Sequence, residues 1–157
     1  MQISLLCMGL TDESQIIQLM QKYEKRLPSH YNFKRVELPD IKGRKNLSQE
    51  QQKLLEEEAF LDKINPSDFV VLLDEKGKSY TSTQFAKFLN NQFISMAHHL
   101  VFVVGGPYGF SEKMYQRSNA KISLSKMTFT HQMVRLFFVE QVYRAFTILQ
   151  GKSYHHD

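Results

Sequence analysis

Two unbroken apolar runs constrain this chain most, Phe69-Val-Val-Leu-Leu73 and Leu100-Val-Phe-Val-Val104. Each has strand length and neither alternates with polar residues. Such runs suit strands covered on both faces, as inside a parallel sheet. Ile3 to Met8 is a third run, stopped by Gly9. Between and after the runs lie segments with helical spacing. Thr11 or Asp12 is a cap candidate for a helix through about Lys25, with Ile16, Ile17, Leu19, Met20 and Tyr23 on one face. Asn32 to Leu38 alternates and reads as a half-wet strand, ended by Pro39. Ser48 and Gln51 form a capping-box pattern for a polar helix through about Ile64. Its apolar stripe is Leu54, Leu55, Ala59 and Phe60 or Leu61, with Glu56, Glu57 and Glu58 as solvent face. Thr81 to Phe93, a short segment from Ser111, and His131 to Leu149 complete the helices. Ile122 and Leu124 make a last short strand. Strand-helix alternation of this kind predicts an α/β fold with a mostly parallel sheet and helices on both faces, in a single domain over residues 1–157.

Composition excludes several classes. With 42% apolar and 23% charged residues, the 157-residue chain can build a core and is not globally disordered. Cys7 is the sole cysteine, so there is neither an internal disulfide nor a multi-cysteine zinc site. No metal-ligand spacing stands out, and no metal is expected. No run approaches the roughly 18 apolar residues of a membrane span. The first residues lack the basic start of a signal peptide. The expectation is a soluble cytoplasmic protein. A net charge of +4 suits a polyanion partner or simply a solvated surface with extra Lys. Lys42-Gly-Arg-Lys45 carries the same two readings, a solvated loop or a phosphate-contacting one.

The last third holds the candidate site. Val101-Phe-Val-Val-Gly-Gly-Pro-Tyr-Gly-Phe110 is a strand breaking into a glycine loop, and Lys121-Ile-Ser-Leu-Ser-Lys-Met-Thr-Phe-Thr130 is a strand breaking into a hydroxyl-rich one. Loops leaving the carboxyl ends of strands form crevices in α/β proteins, so these two read as the walls of one pocket. Neither carries a Walker phosphate motif or dinucleotide glycine spacing. Walls of Leu73, Val104 and Leu124 leave room for an adenosine moiety without compelling one. The final helix is apolar nearly all round, which one sheet face does not cover; a homodimer would. Glu140 and Arg144 stand at i, i+4, as a surface pair or as a buried one fixing the dimer or the pocket wall. The closing Tyr154-His155 is either a frayed end or a proton-handling pair over a pocket mouth.

Together, Gly105-Gly-Pro-Tyr-Gly-Phe110, Leu124-Ser-Lys-Met-Thr-Phe-Thr-His131, Arg135, Glu140-Gln-Val-Tyr-Arg-Ala145 and Tyr154-His155 resemble the RlmH family of SPOUT methyltransferases, over essentially the whole chain. His156 departs from that pattern, where relatives often carry Lys or Arg. The resemblance implies a fold with a C-terminal trefoil knot and a homodimer. It implies S-adenosylmethionine as cofactor and methylation of N3 of a pseudouridine in 23S ribosomal RNA of the assembled ribosome. Carried over, cofactor contacts fall on Leu73, Gly105, Gly106, Leu124, Ser125, Lys126, Met127, Thr128 and Phe129. His155, Arg135, Tyr154 and His131 are the catalytic and substrate-side candidates, with His155 as base and Arg135 as anion stabiliser. Two other functions fit the residues: a non-catalytic ribosome-binding or assembly factor gripping RNA with Lys42, Arg44 and Lys45, and an adenine-nucleotide enzyme acting on a small molecule.

Overall fold

The computed structural model describes residues 2–95 and 98–155; His156 lies outside them. Five strands form one sheet: β1 (Gln2–Met8), β2 (Phe33–Leu38), β3 (Phe69–Ser79), β4 (His99–Val104) and β5 (Ala120–Ser123). Their order is β2-β1-β4-β3-β5, and every neighbouring pair is parallel. The helices are α1 (Ser14–Glu24), α2 (Gln49–Leu61), α3 (Ser82–Ile94), α4 (Glu112–Arg117) and α5 (His131–Leu149). Side chains alternate across the central strands and feed two cores. Leu5, Val71, Phe102 and Ile122 face α1, α3 and α5 through Met20, Phe85 and Phe138. Leu6, Leu72, Val101 and Val103 face α2 and α4 through Phe60 and Met114. Both faces of the sheet are covered, which is why its central strands are continuously apolar.

β3 runs well past Asp74, where the apolar run stops. Leu73 pairs with Ile122, and so does Lys78 after a register shift. The intervening residues bow outward, and the same short β5 serves both halves of β3. Gly77 sits in this bow, and a Cβ there would fall 2.6 Å from the backbone of Ile122. Two backbones touch at this point, so only glycine fits.

α2 presents the opposite face from the one its apolar residues suggest. Leu54 is 54% exposed and Leu55 38%, while Gln52, Glu56, Glu57 and Phe60 are buried. The capping box at Ser48 and Gln51 is present in both halves. The helix turns Glu56 and Glu57 inward, where a distant loop offers them hydrogen-bond donors, as described below. α1 begins later than expected, at Ser14, without a side-chain cap. The Thr11 hydroxyl is otherwise engaged: it donates to Glu37 Oε1 at 2.5 Å and accepts from Arg135 Nη1 at 2.9 Å.

α5 buries Phe138, Val139, Val142, Ala145 and Phe146 and leaves Phe137 and Leu149 each 37% exposed. Phe138 packs inward against Phe85 and Phe102. Phe137 instead points outward, edge-on to Phe129 at 5.0 Å between ring centres. The helix closes in a Schellman motif, with Gly151 N–H donating to Ile148 O and Lys152 N–H to Thr147 O. Gly151 takes the left-handed φ of +63° that this turn needs. The tail is thereby sent back along α5 rather than outward.

Candidate functional site

The carboxyl ends of β4, β3 and β5 lie side by side, and the loops leaving them enclose a cavity of about 750 Å³. Leu73, Val104 and Ile122 contribute to it from the strand ends, Gly105 to Phe110 form one wall, and Leu124 with Ser125 and residues 127–130 another. A second cavity of about 340 Å³ shares Ile122 to Ser125 and Phe129 with it and continues between Tyr80, Phe85 and Phe137. The larger one has the size of an ordinary small-molecule site. Local hydrogen bonds shape both walls. Gly109 N–H donates to Gly106 O at 3.3 Å, with Gly109 at a φ of +75°. Ser123 Oγ donates to Ser125 O, and Ser125 Oγ accepts from Met127 N–H, both at 2.9 Å. Thr130 then caps α5 by accepting from Met133 N–H.

The expected cofactor residues meet here with one exception. Leu73, Gly105, Gly106, Leu124, Ser125, Met127, Thr128 and Phe129 line the larger cavity, whereas Lys126 is exposed and lines neither. The four catalytic candidates are spread along α5. His131 lines the larger cavity at the start of the helix. Arg135 is fully buried. It donates from Nη2 to Met8 O at 2.5 Å and from Nη1 to Thr11, so its polar contacts are with β1 and the turn after it. Tyr154 and His155 do come together, but at mid-helix. Tyr154 donates to Glu140 Oε1 at 3.0 Å, and Arg144 sits over its ring at 4.7 Å. Arg144 Nη1 lies 3.4 Å from His155 Nδ1. Burial, with hydrogen bonds to Tyr23 and Glu140, pushes the Tyr154 phenol up, so it remains a proton donor near neutral pH. Glu140 and Arg144 are the partly buried pair, 2.6 Å apart, that holds this tail. Nine residues of helix separate His131 from Glu140, a rise of about 14 Å.

Two lining residues that escaped the sequence reading are Asp74 and Tyr115. Tyr115 donates to Asp74 Oδ2 at 2.5 Å, and burial together with that carboxylate pushes its phenol up to about 12. The position of Asp74 at the end of an apolar run was the available signal; its partner, 41 residues away, left none. The fold also assembles an unforeseen serine-histidine-aspartate trio. His99 Nδ1 lies 3.0 Å from Asp68 Oδ1, and His99 Nε2 lies 2.8 Å from Ser4 Oγ. It occupies the opposite, amino-terminal edge of the sheet, Ser4 is 3% exposed, and neither cavity reaches it. Its geometry ties three strand starts together. Cys7 is buried, and burial pushes its thiol up to about 12, which makes it inert.

Among the described residues, no group of three or more His, Cys, Asp and Glu could hold a metal, and no helix is long and apolar enough to cross a membrane. Residues 1–155 match the model of the family described as "Predicted SPOUT methyltransferase". A protein of Parabacteroides distasonis named Ribosomal RNA large subunit methyltransferase H is 50% identical over 157 residues, all of both chains. Proteins of the same name from Christiangramia forsetii and Flavobacterium johnsoniae are 51% and 49% identical over 156 residues, each covering 99% of both chains.

Proposed function

The chain belongs to the SPOUT methyltransferase family, and from that premise we propose that it methylates ribosomal RNA of the large subunit with S-adenosylmethionine. The target is N3 of a pseudouridine in 23S RNA, reached as a homodimer on the assembled ribosome in the cytoplasm. The observation that carries this reading is the single cavity walled by the glycine loop and the hydroxyl-rich loop. Its volume fits an adenosine with an amino-acid tail, and its walls are rich in backbone groups that hydrogen-bond such edges. A C-terminal trefoil knot belongs to the same proposal. The backbone contact between Gly77 and Ile122, where β5 serves both halves of β3, supports it.

The residues divide the work as follows. Leu73, Gly105, Gly106, Leu124, Ser125 and residues 127–129 hold the cofactor, which supplies an electrophilic methyl group on a sulfonium. The protein's task is then mainly positioning, since reaction needs the ring nitrogen held in line and close. The weakly acidic N3 proton must leave, and His155 takes it, while His131 borders the same cavity from the helix start. Tyr154, kept protonated, fixes the tail by its bond to Glu140. Arg135 acts at a distance, holding the start of α5 on β1. Because the tail lies at mid-helix in its own chain, His155 serves the cavity of the other protomer. The exposed Phe137 and Leu149 of α5 supply an apolar surface for that pairing. The test is single-turnover transfer of labelled methyl to ribosomes lacking the modification. Stoichiometric transfer to 23S RNA is expected; ribosome binding without transfer would favour the non-catalytic reading.

A further inference from the structure

Consecutive glutamates of α2 reach the two ends of the glycine loop. Glu57 Oε2 accepts from Ser111 Oγ at 2.5 Å, and Ser111 in turn caps α4. Glu56, 4% exposed, uses both carboxylate oxygens: Oε1 accepts from Gln52 Nε2 at 2.8 Å and Oε2 from Gly106 N–H at 3.2 Å. Neither glutamate lines either of the two cavities. Gly106 itself has no room for a Cβ, because the Glu56 carboxylate occupies that space. In a trans peptide the C=O of one residue points opposite to the N–H of the next. With Gly106 N–H held toward α2, the Gly105 carbonyl points away from α2, and Gly105 lines the larger cavity. With glycine on both sides of this peptide, a flip that exchanges the acceptor for a donor meets little steric resistance.

We propose that Glu56 is a positioning residue that locks the Gly105–Gly106 peptide, so that the Gly105 carbonyl stays available as acceptor for an N–H donor of the bound cofactor. This rests on reading the loop as a cofactor wall. Glu56 is costly as a merely structural group. Burial lifts its carboxyl above the ordinary 4.5, against the lowering effect of the bonds from Gln52 and Gly106; Asp40 adds to the rise and Arg44 opposes it. A raised folded value means that its contribution to stability is full below 4.5 and is lost as pH rises through the raised value. Glu56→Gln keeps the shape and removes that loss. Its neutral carboxamide has one oxygen where the carboxylate had two, so Gly106 N–H keeps at best an uncharged acceptor for which Gln52 competes, and the lock loosens.

The experiment measures S-adenosylhomocysteine affinity by calorimetry for the native protein, Glu56→Gln and the exposed control Glu58→Gln. We expect Kd to rise roughly tenfold in Glu56→Gln alone, the scale of one lost charge-assisted bond. Maximal methyl transfer at saturating cofactor should stay near native, and the unfolding midpoint should shift in the variant's favour between pH 4 and 7. Equal Kd values for native and Glu56→Gln would overturn the proposal. A second measurement needs no variant: in the native protein the Gly106 amide resonance should titrate with a carboxyl of raised value. A Gly106 amide insensitive to pH would overturn it equally. Failure of the native protein to bind at all would instead overturn the cofactor reading, and this inference with it.

Discussion

At the scale of single residues, the polar groups inside this molecule are the informative ones. Arg135 looks from the sequence like a cation available to a substrate, one turn into the helix that follows the hydroxyl-rich loop. It is instead enclosed, with Met8 O and Thr11 as partners. Replacing it by Met leaves that carbonyl and hydroxyl short of donors, and should cost about 2–3 kcal/mol in urea unfolding. Methyl transfer by the folded fraction should persist; a transfer rate lowered a thousandfold in fully folded protein would return Arg135 to the chemistry. Glu56 and Glu57 mislead in the other direction. Acidic residues on a polar helix read as solvent-facing, and only donors 50 and 54 residues away reverse that. Gly106→Val places a branched side chain against the Glu56 carboxylate. Overpacking of that kind should weaken cofactor binding by roughly tenfold or more with a native circular dichroism spectrum, and unchanged affinity would move the site away from this loop.

At the scale of elements, the strands were the most legible part, because continuous apolar runs leave little choice about burial. Helix starts marked by Ser48 and Thr81 were legible too, since a capping box is local chemistry. The bow in β3 was not, because Lys76-Gly-Lys78 carries the ordinary signature of a turn and its pairing to β5 is a tertiary event. For α5 the all-round apolar pattern was correctly unusual but silent about which residue faces where. Phe138 turned out to be core: Phe138→Ala should cost about 3–5 kcal/mol of stability. Phe137 is the residue of the exposed face. Phe137→Glu should leave the unfolding midpoint nearly unchanged yet shift light scattering from twice the chain mass of 18.4 kDa toward one. A dimer that survives this substitution would place the interface away from Phe137.

At the scale of the whole molecule, the arrangement of tail and cavity makes a prediction about assembly. The Schellman turn at Gly151 folds the tail back onto α5, where Glu140, Tyr143 and Arg144 hold Tyr154. That clamp keeps His155 beside Arg144, about 20 Å along the helix from His131 and the cavity it borders. A two-fold axis across the exposed side of α5 would bring each tail toward the other chain's cavity, since isologous packing exchanges the two ends of a shared surface. Two variants separate this from a site confined to one chain. Deletion of residues 154–157 removes the tail and keeps the pocket. Gly106→Val damages the pocket and keeps the tail. With cofactor held well below the Kd of the Gly106→Val pocket, either homodimer alone should transfer little methyl. Refolded together in equal amounts, half of the dimers are mixed, and each mixed dimer pairs one intact pocket with one intact tail across the interface. Single-turnover transfer should then recover to about one quarter of the native level. If the tail served its own chain's pocket, no mixed dimer would contain a complete site, and the mixture would be as inactive as its parts.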